Sequence, residues 1–381
     1  MSEEPANEKA SSFPQSAQSR VGRGLYLLRA AQKRVASVWA VVAGAAAGAA
    51  LLVAGVFVLV NWLNPNLPPA ESGADLETRA NAYRRPYGNL APWNIPVAGL
   101  PRHPESEFYA SLLWESTMPR DGNFNLSFED HTYPVFSVSE ATGYRRIRTE
   151  WPTDLDGTKI PWNPSWRPAP GLDRQVIIID EENGREWNLF QVTFRGKTVL
   201  ATNANLVPGD FRTRRTGFSP SRGAGIPYLA MLVRPEEIAA GQILHALSMP
   251  AKGTSGEFSV PPAVKLEHDH GRPGIPEGLR YALDVSDQEI EDWIRGLSDL
   301  PDETQRSARI IARALRDYGW FITDSAGSSH FQFEANVSAH DDWKRLGLNE
   351  QGSGDTVYPR DLLDGLVTKE RIYAVVPSNA Y

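Results

Sequence analysis

One histidine and three carboxylates are the groups with which this chain could move protons. His245 lies in Gly241-Gln242-Ile243-Leu244-His245-Ala246-Leu247-Ser248-Met249, an imidazole among aliphatic neighbours. Such a ring serves either as a general base tuned by its surroundings or as a core residue satisfied by a backbone carbonyl. Cutting a glycosidic bond takes two carboxylates across a cleft, roughly 5 to 9 Å apart. Asp173 precedes the apolar run 176–179, and Asp324 and Glu334 bracket a late hairpin. His245, Asp173, Asp324 and Glu334 are therefore the expected catalytic set.

Substrate-binding candidates come from two similar segments, Pro92-Trp93-Asn94-Ile95-Pro96 and Pro161-Trp162-Asn163-Pro164-Ser165-Trp166-Arg167-Pro168. Proline stiffens a loop without needing a donor, so Trp93, Trp162 and Trp166 could stand out as platforms for sugar rings; the alternative is that they plug loops onto a core. Arg222, between Pro220 and Gly223, could clamp a carboxylate or phosphate, or order a turn.

Metal and cofactor signals are weak, and none of either is expected. Glu267-His268-Asp269-His270 is a polar loop whose adjacent side chains read as solvent-facing. Asp121, Asn123 and Asn125 start like a calcium loop, but Leu126 replaces the required glycine and Thr132 the bidentate glutamate. Phosphate-loop, Gly-x-Ser-x-Gly and His-Glu-x-x-His patterns do not occur. The chain holds no cysteine, which removes disulfides and thiolate chemistry.

The elements that must position these residues are mostly short strands, expected at 132–138, 144–151, 175–180, 186–194, 198–202, 226–233 and 242–249. Glu181-Glu182-Asn183-Gly184 reads as a hairpin turn. Helices enter late. One begins at Pro235 with acids in its first turn, one opens on the capping box Ser286–Glu289, and one runs over 302–318 with Ala308, Ile311, Ala312 and Leu315 on one face and Gly319 as its stop. Two short ones follow near 339–346 and 360–366. A second hairpin is expected from 320–324 and 330–334. The expected class is mainly β with peripheral helices, an antiparallel β-sandwich or jelly roll preceded by one transmembrane helix.

That transmembrane helix follows from residues 35 to 70, which carry no charge. About 20 apolar residues suffice to cross a bilayer. Arg20, Arg23, Arg29, Lys33 and Arg34 precede the stretch and Glu71, Asp75 and Glu77 follow it, which keeps the N-terminus cytoplasmic and puts the rest outside. The expected organisation is a basic cytosolic tail (1–34), an uncleaved anchor (35–63), a Pro-rich stalk and wrapping segment (64–105) and an extracytoplasmic β-rich domain (106–381). Gly44 and Gly48 have the small-xxx-small spacing that would let two spans pair into a homo-oligomer. Beyond residue 34 the chain carries 33 basic and 43 acidic side chains, a balance that repels nucleic acid.

Two stretches carry a resemblance. The run Leu232 to Leu247, with Pro235-Glu236-Glu237-Ile238 and His245-Ala246-Leu247, and the run Ala312 to Gly319 continuing through Asp324 to Glu334, resemble motifs of a broad group of uncharacterised secreted or membrane-anchored bacterial proteins. The likeness spans roughly residues 155 to 335. It implies no activity, but it marks Asp173, His245 and Asp324 as a set that would converge in space. Arg148 and Glu150 with Gln242 and His245 also resemble, distantly, the strands of jelly-roll alginate lyases; the histidine spacing departs by one residue and the lyase tyrosine motif is absent. The expected function is action on a polysaccharide of the cell envelope or surroundings, as a glycoside hydrolase or lyase. The alternative is a non-catalytic envelope scaffold module that binds glycan or protein.

Overall fold

The computed structural model describes residues 85–121, 124–212, 220–348 and 361–377. The expected tail, the anchor and the start of the Pro-rich segment lie outside these residues. Among the described residues, no helix is long and apolar enough to cross a membrane. The strands are β1 (Asn125–Ser127), β2 (Val135–Ser137), β3 (Gly143–Thr149), β4 (Lys159–Trp162), β5 (Val176–Asp180), β6 (Arg185–Phe190), β7 (Thr193–Arg195), β8 (Thr198–Ala201), β9 (Asn203–Leu206), β10 (Leu247–Ala251), β11 (Arg280–Leu283), β12 (Trp320–Ser325), β13 (His330–Gln332) and β14 (Ile372–Val375). The helices are α1 (Ser106–Asp121), α2 (Pro235–Ala239), α3 (Asp287–Gly296), α4 (Asp302–Asp317) and α5 (Asn336–Arg345). The class is mainly β with peripheral helices.

Three four-stranded sheets organise the chain: a middle sheet β2-β5-β6-β9, an outer sheet β4-β3-β8-β7 and a third sheet β10-β12-β11-β14. β5 explains the layering. Its residues Val176, Ile177, Ile178 and Ile179 are all buried. Side chains alternate across a strand, so Val176 and Ile178 join Ile147, Ile160, Trp162 and Val199 of the outer sheet. Ile177 and Ile179 turn the other way, to Tyr133, to Leu229 of the segment 226–233 and to Phe321 of the third sheet. A strand apolar on both faces belongs in the middle.

Each sheet is mixed where antiparallel order was expected. β2 runs parallel to β5, β3 to β8 and β10 to β12. The cause lies in the order of building. After β2 the chain lays β3 and β4 into the outer sheet before returning as β5, and after β4 it lays β5 and β6 into the middle sheet before returning as the β7–β8 hairpin, which sets β8 beside β3. Parallel neighbours need a crossover of this kind, although not every crossover gives one: β9, also regained through the outer sheet, pairs antiparallel with β6. The turn at Glu181–Gly184 does close an antiparallel hairpin, with Asp180 opposite Arg185.

Two other expectations change. β12 and β13 form no hairpin: β12 lies between β10 and β11, and β13 pairs in parallel with β1. Residues 226–233 form no strand, although they are buried throughout. Side chains take the place of a sheet partner for their backbone. Arg222 donates to the carbonyls of Pro227, Tyr228 and Ala230, while Asn188 and Glu186 accept from the amides of Tyr228 and Leu229 at 3.1 and 2.8 Å. Buried backbone groups need such partners wherever no ladder supplies them.

α4 packs as its pattern dictates. Ala308, Ile311, Ala312 and Leu315 are buried, Asp302 and Glu303 sit in its first turn, and Gly319 follows it at φ +66°. A Cβ at Gly319 would lie 1.9 Å from the Tyr281 carbonyl, so only glycine allows the immediate entry into β12.

Candidate functional site

Where the three sheets meet, an open cavity of about 370 Å³ is lined by loops rather than by one element. β12 ends in it with Asp324 and Ser325, the chain before β2 brings His131 and Tyr133, and the chain before β5 brings Asp173 and Gln175. Lys265, Glu267 and His268 come from the loop after β10, and Arg222 and Gly223 from the segment before the buried 226–233 stretch. Tyr133 and Tyr228 stack at 4.2 Å, and Trp151, 53% exposed, stands on the rim. A second cleft of about 590 Å³ is lined by Arg313, Arg316 and Asp317. Its charges are already satisfied, Arg316 by Asp287 at 2.7 Å and Arg313 by Glu291 at 3.3 Å, which leaves the first cavity as the site.

One wall is a carboxyl cluster. Asp324 and Glu267 hydrogen-bond each other, Glu267 also reaches Glu277, and the Glu267 amide donates to Glu277 Oε2 at 3.2 Å. The Ser325 amide donates to Glu267 Oε2 at 2.8 Å, and His268 Nε2 lies 3.2 Å from Glu267 Oε1. Burial and the neighbouring Glu267 charge push the Asp324 carboxyl well above the usual range, against the opposing Gly223 amide. Burial also works against charge on Glu267, yet hydrogen bonds from Ser325, Asp324 and Glu277 outweigh it and hold that carboxyl low. Glu277 is pushed up to about 8, by burial first and then by Glu267. Carboxyls in contact cannot all ionise, so Asp324 keeps its proton and Glu267 holds the charge.

Gly223 makes this contact feasible, since a Cβ there would lie 2.5 Å from both Asp324 Oδ1 and Glu267 Oε2. Gly223→Ala is therefore expected to wedge the two carboxyls apart at a cost of about 1–3 kcal/mol. The check is the urea midpoint at neutral pH, which should fall with an unchanged slope.

The opposite wall is built on Asp173. His131 Nδ1 and Gln175 Nε2 both donate to Asp173 Oδ2, each at 3.0 Å. No further hydrogen bond among the described residues falls on Oδ1, which leaves it for water or substrate. The His131 hydrogen bond holds the Asp173 carboxyl below its usual value against the effect of burial, and the same bond raises His131. Strained backbone frames the wall: His131, Arg174 and Gln191 have φ of 58°, 44° and 55°. The Gln191 amide ties the Asp173 carbonyl at 2.7 Å. Such conformations persist only where the surroundings enforce them.

Of the expected site residues, Asp173, Asp324 and Arg222 line this cavity; the others do not. His245 is fully buried, its Nδ1 on the Ala246 carbonyl at 2.8 Å and its Nε2 3.0 Å from Glu237. It anchors α2, so the motif behind the resemblance is a buried ion pair. Glu334 is 4% exposed, bonded by Ser338 at 2.6 Å and Arg234 at 3.2 Å, and burial lifts it to about 7. Trp93, Trp162 and Trp166 are 3%, 2% and 3% exposed, so they are plugs rather than platforms. Trp93 donates to the Pro86 carbonyl, and Trp166 stacks on Phe136 at 4.9 Å. An indole burying about 200 Å² gains on the order of 5 kcal/mol, far more than a solvated platform would return to the fold. Arg222 lines the cavity, but its two terminal nitrogens are taken up by the carbonyls of Pro227, Tyr228 and Ala230 and by Gln332 at 3.2 Å.

Sequence reasoning missed His131, Gln175, Glu277 and Trp151. Glu267 and His268 had a signal, the polar cluster 267–270, although it reads as a solvent-facing loop; among the described residues no group of three His, Asp or Glu side chains is arranged to hold a metal ion. Compared with family models, with curated proteins and with solved structures, the chain has no match.

Proposed function

We propose that the chain is a membrane-anchored extracytoplasmic hydrolase that cuts a polysaccharide of the cell envelope or its surroundings, with Asp324 as general acid and Asp173 as base or nucleophile. One observation carries this reading: two carboxyls on a single open cavity sit in opposite settings, Asp324 half-buried against Glu267 and Asp173 bound by His131 and Gln175. Carboxyls whose surroundings drive their pKa values apart are the signature of an acid–base pair. Both line the cavity that Tyr228 also lines. Trp151, exposed on the rim, supplies an apolar surface that a sugar ring presses against. The charge-free stretch 35–70 supports the address. The middle and outer sheets, face to face across Trp162, are the sandwich of this reading.

The chemistry is two proton transfers. Asp324 gives its proton to the departing glycosidic oxygen while Asp173, steadied through Oδ2, either takes a proton from water or attacks the anomeric carbon through Oδ1.

The experiment is reducing-end release from envelope polysaccharides by the full chain in detergent, with Trp151→Ala beside it. Release, with a KM raised about tenfold and a near-constant kcat in the variant, is the expected result, since a rim platform adds binding rather than chemistry. Glycan binding without release would favour the scaffold reading, and neither binding nor release would overturn the glycan assignment.

A further inference from the structure

Glu277 is 1% exposed and does not touch the cavity, yet it is bonded to the group that bonds Asp324. A carboxylate only accepts hydrogen bonds, so every direct bond between two carboxyls contains one proton. Three carboxyls joined in a row by two such bonds hold two protons and one negative charge. The donors fix where the charge sits. Glu267 takes the Ser325 amide at 2.8 Å, has His268 at 3.2 Å and stands between the other two, so it is the anion and the outer carboxyls are the acids.

Granted the acid role of Asp324, on which this rests, we propose that Asp324, Glu267 and Glu277 form one proton-holding unit in which Glu277, a positioning residue, acts through Glu267 on Asp324. As Asp324 releases its proton to the leaving oxygen, Glu277 passes its own to Glu267. One proton leaves the unit; the two remaining charges end on Asp324 and Glu277 rather than side by side on Asp324 and Glu267. A proton from solvent through the open cavity then restores Asp324, and the inner proton shifts back. The other groups facing the unit are Lys265 and His268 on the same loop, Arg222 beside Gly223, and the phenols of Tyr133 and Tyr228. None of them bridges Glu277 to Asp324. The upward shifts of Asp324 and Glu277 and the downward shift of Glu267 agree with this inventory.

Carbon-13 NMR of the side-chain carboxyls in the full chain tests it without a substrate. Near pH 6.5, Asp324 and Glu277 should give protonated shifts and Glu267 an ionised one. An ionised Glu277 or a protonated Glu267 at that pH would overturn the proposal. Glu277→Gln keeps a donor to Glu267 but has no proton to pass on. It should lower kcat about tenfold with KM unchanged, at the lower edge of general acid–base effects, and Glu277→Asp should restore part of it. An unchanged kcat in Glu277→Gln would also overturn it. If the NMR inventory holds and Asp324→Asn leaves glycan cleavage intact, the shared protons stand and the acid role of Asp324 falls. If Asp324→Asn abolishes cleavage while Glu277 is ionised at pH 6.5, the reverse follows.

Discussion

Replacing Asp324 by asparagine is expected to lower kcat for glycan cleavage by about 10²–10⁴-fold, the range for losing a positioned general acid. The amide keeps the shape and still donates to Glu267, so substrate binding should change by less than about threefold if the acid acts only in the transition state. Stability should hold or rise, because a buried carboxyl that resists ionisation is exchanged for a neutral group. The check pairs kinetics with a melting curve. Loss of activity with Tm held places Asp324 in the chemistry; loss of both would make it a packing residue.

The second large effect lies away from the cavity. His245 and Glu237 are both fully buried, 3.0 Å apart, with Glu237 also capping α2 through the Arg234 amide at 2.9 Å. Removing one partner leaves the other charge stranded, so His245→Leu is expected to cost about 3–5 kcal/mol. The double change with Glu237→Leu should recover much of that, and urea unfolding of the single and double variants measures both. The pH dependence has a definite sign. Burial works against the charged ring, but Glu237 and the Ala246 carbonyl outweigh it and raise His245 above 6.5. A group raised in the folded state contributes stability that is full below its unfolded pKa and is lost as pH climbs through the folded value. Wild type should therefore lose this contribution progressively as pH rises above about 6.5, and His245→Leu should not.

The pair also shows what the sequence could and could not say. The run from Leu232 to Leu247 carries a resemblance, yet one imidazole among aliphatic residues reads equally as base or as core. Only the depth of burial decides. The tryptophans posed the same problem, because Pro-framed indoles look alike whether they stand out or plug a sheet. Periodicity was the reliable signal: the face of α4, the Ser286–Glu289 capping box and the β5–β6 turn were all legible, each set by neighbours within a few residues. Parallel pairing was not, since it depends on the chain crossing to another sheet and back. Nor was the cavity, whose residues come from at least six segments. Asp173 and Asp324 stood out as acids at strand ends. His131 sits in a left-handed turn without pattern, and Glu277 carries no local mark of the carboxyl pair it extends.

The most direct test is the pH dependence of kcat/KM for cleavage of an envelope polysaccharide. Asp173 must be ionised and Asp324 protonated. With Asp173 held low by His131, activity should persist as pH falls through the ordinary carboxylate range and disappear only below it. With Asp324 held high by burial and Glu267, activity should be lost on the alkaline side only well above that range. A broad plateau across neutrality, whose acid limb moves upward in His131→Ala as Asp173 loses its donor, is the predicted result. An alkaline limb near pH 4–5, the ordinary carboxylate range, or an acid limb indifferent to His131, would contradict the assignment of acid and base.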